Sequence, residues 1–233
     1  MEPRRVVVVT GPNRGIGREA VHQFAGHGDA VVLTARDLTK AERAANDERD
    51  HGHDVDPRQL DITDAASVER VATALADRYG KVDVLVNNAA VLYDTWQSAS
   101  AADLGVVREA LETNLFGAWR LTIALLPLLR ASRHGRIVNV SSEAGSLHSM
   151  GGGTPAYGIS KVSLNALTRM LAAELAADGI LVNAICPGWV ATDMGGPGGR
   201  PVAEGAAGIV WAANLPDTGP TGGFFRDGRA LAW

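Results

Sequence analysis

The segment TPAYGISKVSLNAL, residues 154–167, holds a tyrosine and a lysine four positions apart, Tyr157 and Lys161, at what reads as the start of a helix. Neither belongs to the apolar stripe behind them. On a helix, residues i and i+4 share a face, so this spacing sets an ammonium beside a phenol. A free phenol has a pKa of about 10, too high for easy proton exchange near neutrality. A nearby positive charge favours the phenolate and lowers that value. The pair therefore reads as an acid–base group tuned by its neighbour.

A second stretch carries different chemistry. TGPNRGIGREA, residues 10–20, places Gly11, Gly15 and Gly17 between an apolar run and a helical pattern, with Asn13, Arg14 and Ile16 among them. A strand–turn–helix of this kind presents free N–H groups to a dinucleotide's pyrophosphate. Glycine lets the backbone turn sharply and approach the phosphates. The spacing is G-x-x-x-G-x-G, and taken alone it would also suit a tight strand–helix connection. The second strand ends AVVLTARD, residues 30–37. Arg36 at its tip, with Arg14 and Lys40 nearby, would clamp a 2′-phosphate and favour NADPH. Asp37, one step later, is the counter-argument: a small register shift would put a carboxylate by a free ribose hydroxyl and favour NAD.

These groups need elements to position them. Short β-branched runs at residues 5–10, 30–35, 82–87, 136–141 and 180–185 are continuously apolar, as in strands covered on both faces. Residues 57–60 and Phe224–Phe225 are candidates for two more. Helix-length stretches at 16–26, 65–79, 101–131 and 157–177 alternate with them, and a further helix begins near Val202. The alternation predicts an α/β fold: one Rossmann-type, doubly wound parallel sheet with helices on both faces, over residues 1–233 as a single domain. The Gly-rich pieces GGGTP (151–155) and GGPGGRP (195–201) are loops within it.

The bulk numbers fit this. The 233 residues are 46% hydrophobic and 21% charged, with net charge −4. No basic surface advertises nucleic acid or an anionic membrane. The apolar run in MEPRRVVVVTG is too short for a leader or a membrane span. A soluble, cytoplasmic protein is expected. The single cysteine, Cys186, excludes an internal disulfide and reads as a core thiol. His51 and His53 in ERDHGHDVD (48–56) are metal-capable residue types, but the segment reads as a solvated turn and no metal site is expected.

The ordered set of Thr10 to Gly17, Asn87-Asn88-Ala89, Asn114, Ser141-Ser142, Tyr157-x-x-x-Lys161 and Pro187-Gly188 resembles the short-chain dehydrogenase/reductase family over nearly the whole chain. VVLTARD, QLDITD, DVLVNNA, GRIVNVSS and TGGFFRDGR resemble its carbonyl-reductase-like branch. The resemblance implies NADPH-dependent reduction of a ketone or aldehyde, with Tyr157 giving the proton. Ser142 would steady the substrate oxygen. Asn114 would hold helix geometry and a water that relays protons through Lys161. It implies cofactor contacts from Asp61 and Ile62 at the adenine, and from Asn88 and Ala89 beside the adenosine ribose. Pro187, Gly188, Val190 and Thr192 would hold the carboxamide. Alternatives are an NAD-preferring alcohol or hydroxysteroid dehydrogenase, and a nucleotide-sensing protein without chemistry.

Two departures from the family pattern stand out. Ala90 occupies a position usually held by glycine, and Ser142 and Tyr157 are fifteen apart where many members have thirteen. Trp96, Leu147, His148, Met150, Trp189 and Met194, on flanking loops, are candidates to wall a substrate pocket that is open to bulky carbonyls. A homodimer or homotetramer is expected, buried on the helices at 101–131 and 157–177.

Overall fold

The computed structural model describes residues 4–91 and 93–233. The first three residues of the N-terminal stretch discussed above lie outside it. One eight-stranded sheet organises the rest. Its strands are β1 (Val6–Thr10), β2 (Ala30–Ala35), β3 (Val55–Gln59), β4 (Val84–Asn87), β5 (Arg136–Val140), β6 (Leu181–Ile185), β7 (Phe224–Arg226) and β8 (Arg229–Ala230). The order is β3-β2-β1-β4-β5-β6-β7-β8. All neighbours are parallel except β7 and β8. The central strands are buried throughout, which explains runs such as VVVV that do not alternate. Edge strand β3 reads VDPRQ; its proline and charges suit an edge, and it begins two residues before the candidate at 57–60.

Helices α1 (Gly15–Gly26), α2 (Leu38–Arg49), α3 (Ala65–Tyr79), α4 (Leu104–Leu111), α5 (Ala118–Arg130), α6 (Pro155–Glu174) and α7 (Val202–Ala213) cover the sheet. One core lies under α3, α5 and α6, built on residues such as Val8, Leu85, Ile137 and Val182. The other lies under α1, α2 and α7, on Val7, Val9, Val86 and Val138. Alternate residues of the same strands thus feed opposite faces. A buried chain of amides and hydroxyls crosses between layers. Asn87 Nδ2 donates to Asn139 Oδ1 (2.8 Å), and Asn139 Nδ2 donates to Thr168 Oγ1 (2.8 Å).

The stretch at 101–131, expected as one helix, is more complex. It starts at Leu104, capped by Asp103, whose side chain accepts from Gly105 N–H. Between α4 and α5 lies a π-helical turn, Glu112–Gly117. At Gly117 a Cβ would run into the side chain of Ile62, so close approach there requires glycine. Among the described residues, no helix is long and apolar enough to cross a membrane.

Candidate active site

Strand order reverses at β1: β2 leaves it on one side and β4 on the other. In open α/β sheets the crevice outside the carboxyl ends at such a point is the ligand site. The candidate residues collect there. Gly11, Arg14, Gly15, Ile16, Gly17, Asn88, Ala90, Ser141, Tyr157, Lys161, Pro187 and Thr192 line one crevice across the ends of β1, β4, β5 and β6. Gly11 and Gly15 have positive φ (64° and 56°), and a Cβ on Gly17 would overlap Asn88 and Pro12. Asn88 Nδ2 in turn donates to the Thr10 carbonyl (2.8 Å), which stitches β4 to the glycine turn. Ala89 packs on Gly11, and its N–H donates to Thr10 Oγ1 (2.9 Å).

These residues fit a dinucleotide. The first turn of α1 has no side-chain cap and no acidic residue, so its N–H groups are left for an anion. Ser141 Oγ is buried against the crevice without a hydrogen-bond partner. Ala90 takes the glycine position without a left-handed backbone.

At the adenosine end, Arg36 and Asp37 are engaged differently. Asp37 caps α2, its carboxylate accepting from Thr39 N–H (2.9 Å). Only Oδ1 is engaged in this cap. Arg36 and Lys40 are exposed beside it, as is Asn13. Burial pushes the Asp61 carboxyl up, but two hydrogen bonds from Thr63, with the charges of Arg36 and Arg120, outweigh it and hold the group below its usual value. The Ile62 side chain is buried in the core, and its carbonyl accepts from Arg120 (2.7 Å). Arg14 Nη1 is paired with Asp193 (2.6 Å) across the crevice, and both side chains are exposed.

The other end holds the chemistry. Ser142 follows β5 and lies within hydrogen-bonding reach of Tyr157. Tyr157 and Lys161 share a buried face of α6, with Nζ 5.5 Å from the phenol ring centre. The expected tuning is not what this arrangement produces. Burial pushes the Tyr157 phenol up to about 12, with Ser142 pulling against it. Burial alone brings Lys161 down to about 8. Its ammonium donates to the Val140 carbonyl (2.8 Å) rather than toward the phenol oxygen. Desolvation, which an i,i+4 argument omits, therefore outweighs the neighbouring charge.

Asn114 sits in the π turn, fully buried. Its Oδ1 accepts from Val91 N–H (2.8 Å), and its Nδ2 donates to the Val91 carbonyl (3.1 Å) and to Ser160 Oγ (2.9 Å). The side chain thus ties three segments together; π turns often mark functional sites. Cys186 is buried, and burial pushes its thiol up.

Above Ser142 and Tyr157 opens a cleft of about 360 Å³. Trp189 and Met194 line it, as do Pro187, Gly188, Val190 and Thr192. Met150 lines an adjoining hollow under the 149–155 loop. Trp96 and Leu147 face solvent (67% and 69% exposed), and with His148 they do not line the cleft. That corrects three of the six candidates: loop position alone does not fix which way a side chain points. Two residues were missed. Tyr93 meets the Tyr157 ring edge-on at 5.2 Å. Asp94, fully buried, accepts from Ala156 N–H (2.9 Å) and Tyr157 N–H (3.0 Å), and so caps the helix that carries the tyrosine. A cap supplied from more than sixty residues away leaves no local signature.

The family model described as short chain dehydrogenase matches residues 5–200. The chain belongs to this family. Short-chain dehydrogenase relatives include "Carbonyl reductase [NADPH] 1" of Sus scrofa, 34% identical over 98% of this chain and 94% of the relative. "Salutaridine reductase" of Papaver somniferum is 33% identical over 98% and 96%. The aligned lengths exceed the chain's own, so both relatives carry insertions that this one lacks. Among solved structures, the NADPH-bound carbonyl reductase from chicken fatty liver superposes with a TM-score of 0.89 at 30% identity, covering 99% of each chain.

Proposed function

We propose that this short-chain dehydrogenase reduces a ketone or aldehyde to an alcohol with NADPH. The observation that carries the reading is the convergence of Ser142, Tyr157 and Lys161 on one wall of a crevice continuous with the glycine turn. When bound, NADPH supplies the hydride that goes to the carbonyl carbon. The chain's residues handle the oxygen. Ser142 Oγ–H donates to it and steadies its developing charge. Tyr157 keeps its proton at neutral pH, since its pKa lies near about 12, and delivers it to the oxygen as charge accumulates there. Lys161, buried against Val140, holds positive charge under the site. Arg36 at the tip of β2 would take a 2′-phosphate, a reading that the helix-cap role of Asp37 supports. NADPH-named relatives support that preference.

The substrate oxygen enters through a cleft walled by Tyr93, Trp189 and Met194, which suits bulky apolar carbonyls. The assembly expected is a homodimer or homotetramer. Leu104, Phe116 and Ile123 on the α4–α5 rod, with Ile159 and Met170 on α6, expose an apolar surface.

The test is loss of reduced-nicotinamide absorbance with NADPH and NADH separately, against aldehydes, diketones, quinones and ketosteroids. Turnover is expected with NADPH. Tyr157→Phe should lower kcat by about 10²–10⁴-fold while leaving NADPH binding intact. Equal turnover in the variant, or a preference for NADH, would overturn the reading.

A further inference from the structure

The turn that follows α2 is only partly solvated. His51 is exposed, its Nδ1 within 2.7 Å of the Asp47 carbonyl. His53 is not: its side chain is 16% exposed and its Nδ1 lies 2.8 Å from Glu48 Oε2. His22, from the middle of α1, brings its own Nδ1 to 3.0 Å from the same oxygen. Two imidazoles from two separate elements thus converge on one carboxylate oxygen. Glu48 is almost wholly buried. Its other oxygen, Oε1, accepts from Arg18 Nε (3.0 Å).

We propose that His22, Glu48 and His53 form a divalent-cation site, suited to zinc, that clips α1, α2 and the start of β3 together. The three ligand atoms lie within 4.8 Å of one another. Zinc bound at about 2.0–2.1 Å to nitrogen and oxygen in a tetrahedron needs ligands about 3.3 Å apart. The present separations of 2.8 and 3.0 Å to Oε2 would have to open to that spacing, and the two nitrogens, at most 4.8 Å apart, would have to settle at it. Imidazole and carboxylate are the ligand types that zinc, cobalt and nickel take. Each histidine binds through the Nδ1 lone pair, so its proton resides on Nε2. Arg18 already supplies the outer hydrogen bond that holds a ligating carboxylate to one oxygen. The fourth position falls to water or to His51, whose ring centre lies 5.9 Å from that of His22 and 6.1 Å from that of His53.

The site lies at the amino end of β3, whereas Ser142 follows the carboxyl end of β5. Its role is therefore structural rather than catalytic. It departs from the expectation of a solvated turn without a metal. The residue that reveals it, His22, is remote in sequence from His51 and His53.

The experiment uses the tag-free full chain, stripped with chelator and titrated with zinc chloride by calorimetry and thermal melting. Cobalt chloride serves as a spectroscopic probe. One zinc per chain is expected, with a rise in Tm and visible cobalt bands of tetrahedral intensity. His53→Ala should weaken binding at least tenfold. His22→Ala, at a half-exposed position and so safer for folding, should do the same. His27→Ala, on an exposed histidine outside the cluster, should change nothing. Reductase turnover should be the same with and without zinc and in all three variants, which separates this proposal from the functional one. Absence of saturable binding to the parent chain would overturn it. So would binding that survives His22→Ala.

Discussion

Lys161 has an ammonium buried completely enough that its pKa falls to about 8, with the Val140 carbonyl as its partner. A lysine whose folded pKa lies below its unfolded value costs stability wherever it is charged in both states. That cost is full below pH 8. It is relieved as pH rises from about 8 to 10.5, because the unfolded chain binds the extra proton there. The stability of Lys161→Met relative to the parent should therefore be most favourable at pH 7, where the buried-charge cost is full, while turnover collapses. The stability gap should shrink by pH 10 in urea melts of the two proteins. A gap constant with pH would show that the cost is not one of buried charge. Tyr157, pushed up to about 12, loses no proton in this range when folded and is common to both proteins.

At the scale of elements, the site depends on how α6 begins. Thr154, the residue before Pro155, has φ 49° and ψ 51°, an unfavourable conformation for a β-branched side chain. Asp94 compensates by accepting from the first N–H groups of the helix. Asp94→Ala should cost about 1–2 kcal/mol of stability and lower kcat with little change in NADPH affinity. Asp94→Asn should restore much of both, as measured by melts and steady-state kinetics, because it keeps an acceptor. The glycine turn is the second such element. Gly17→Ala would press a methyl on Asn88 and on the main chain of Pro12, so a tenfold or greater loss of NADPH binding is expected by fluorescence titration, about 1.4 kcal/mol.

The whole molecule is a wound sheet whose catalytic end and whose apolar helix rod lie on different surfaces. Leu104, Ile123 and Met170 are exposed on those helices (61%, 60% and 62%). Light scattering at micromolar concentration is expected to give a dimer or tetramer mass. Ile123→Glu should lower it by placing an unpaired charge in the interface. A monomeric parent chain would refute the assembly.

Much of this was legible in the residues themselves. Apolar strand runs, the glycine turn, and the Tyr157–Lys161 spacing follow from local rules of burial, backbone freedom and helix periodicity. Strand β3 and the π turn at Asn114 were less visible, because an edge strand is not apolar and a π turn has no periodic signature. Other features depend on groups brought together from distant parts of the chain. Asp94 reaches the start of α6, and His22 joins Glu48 and His53. The tertiary structure also decided the protonation of Tyr157 and Lys161, because desolvation is a property of everything packed around a group and not of its neighbours in sequence.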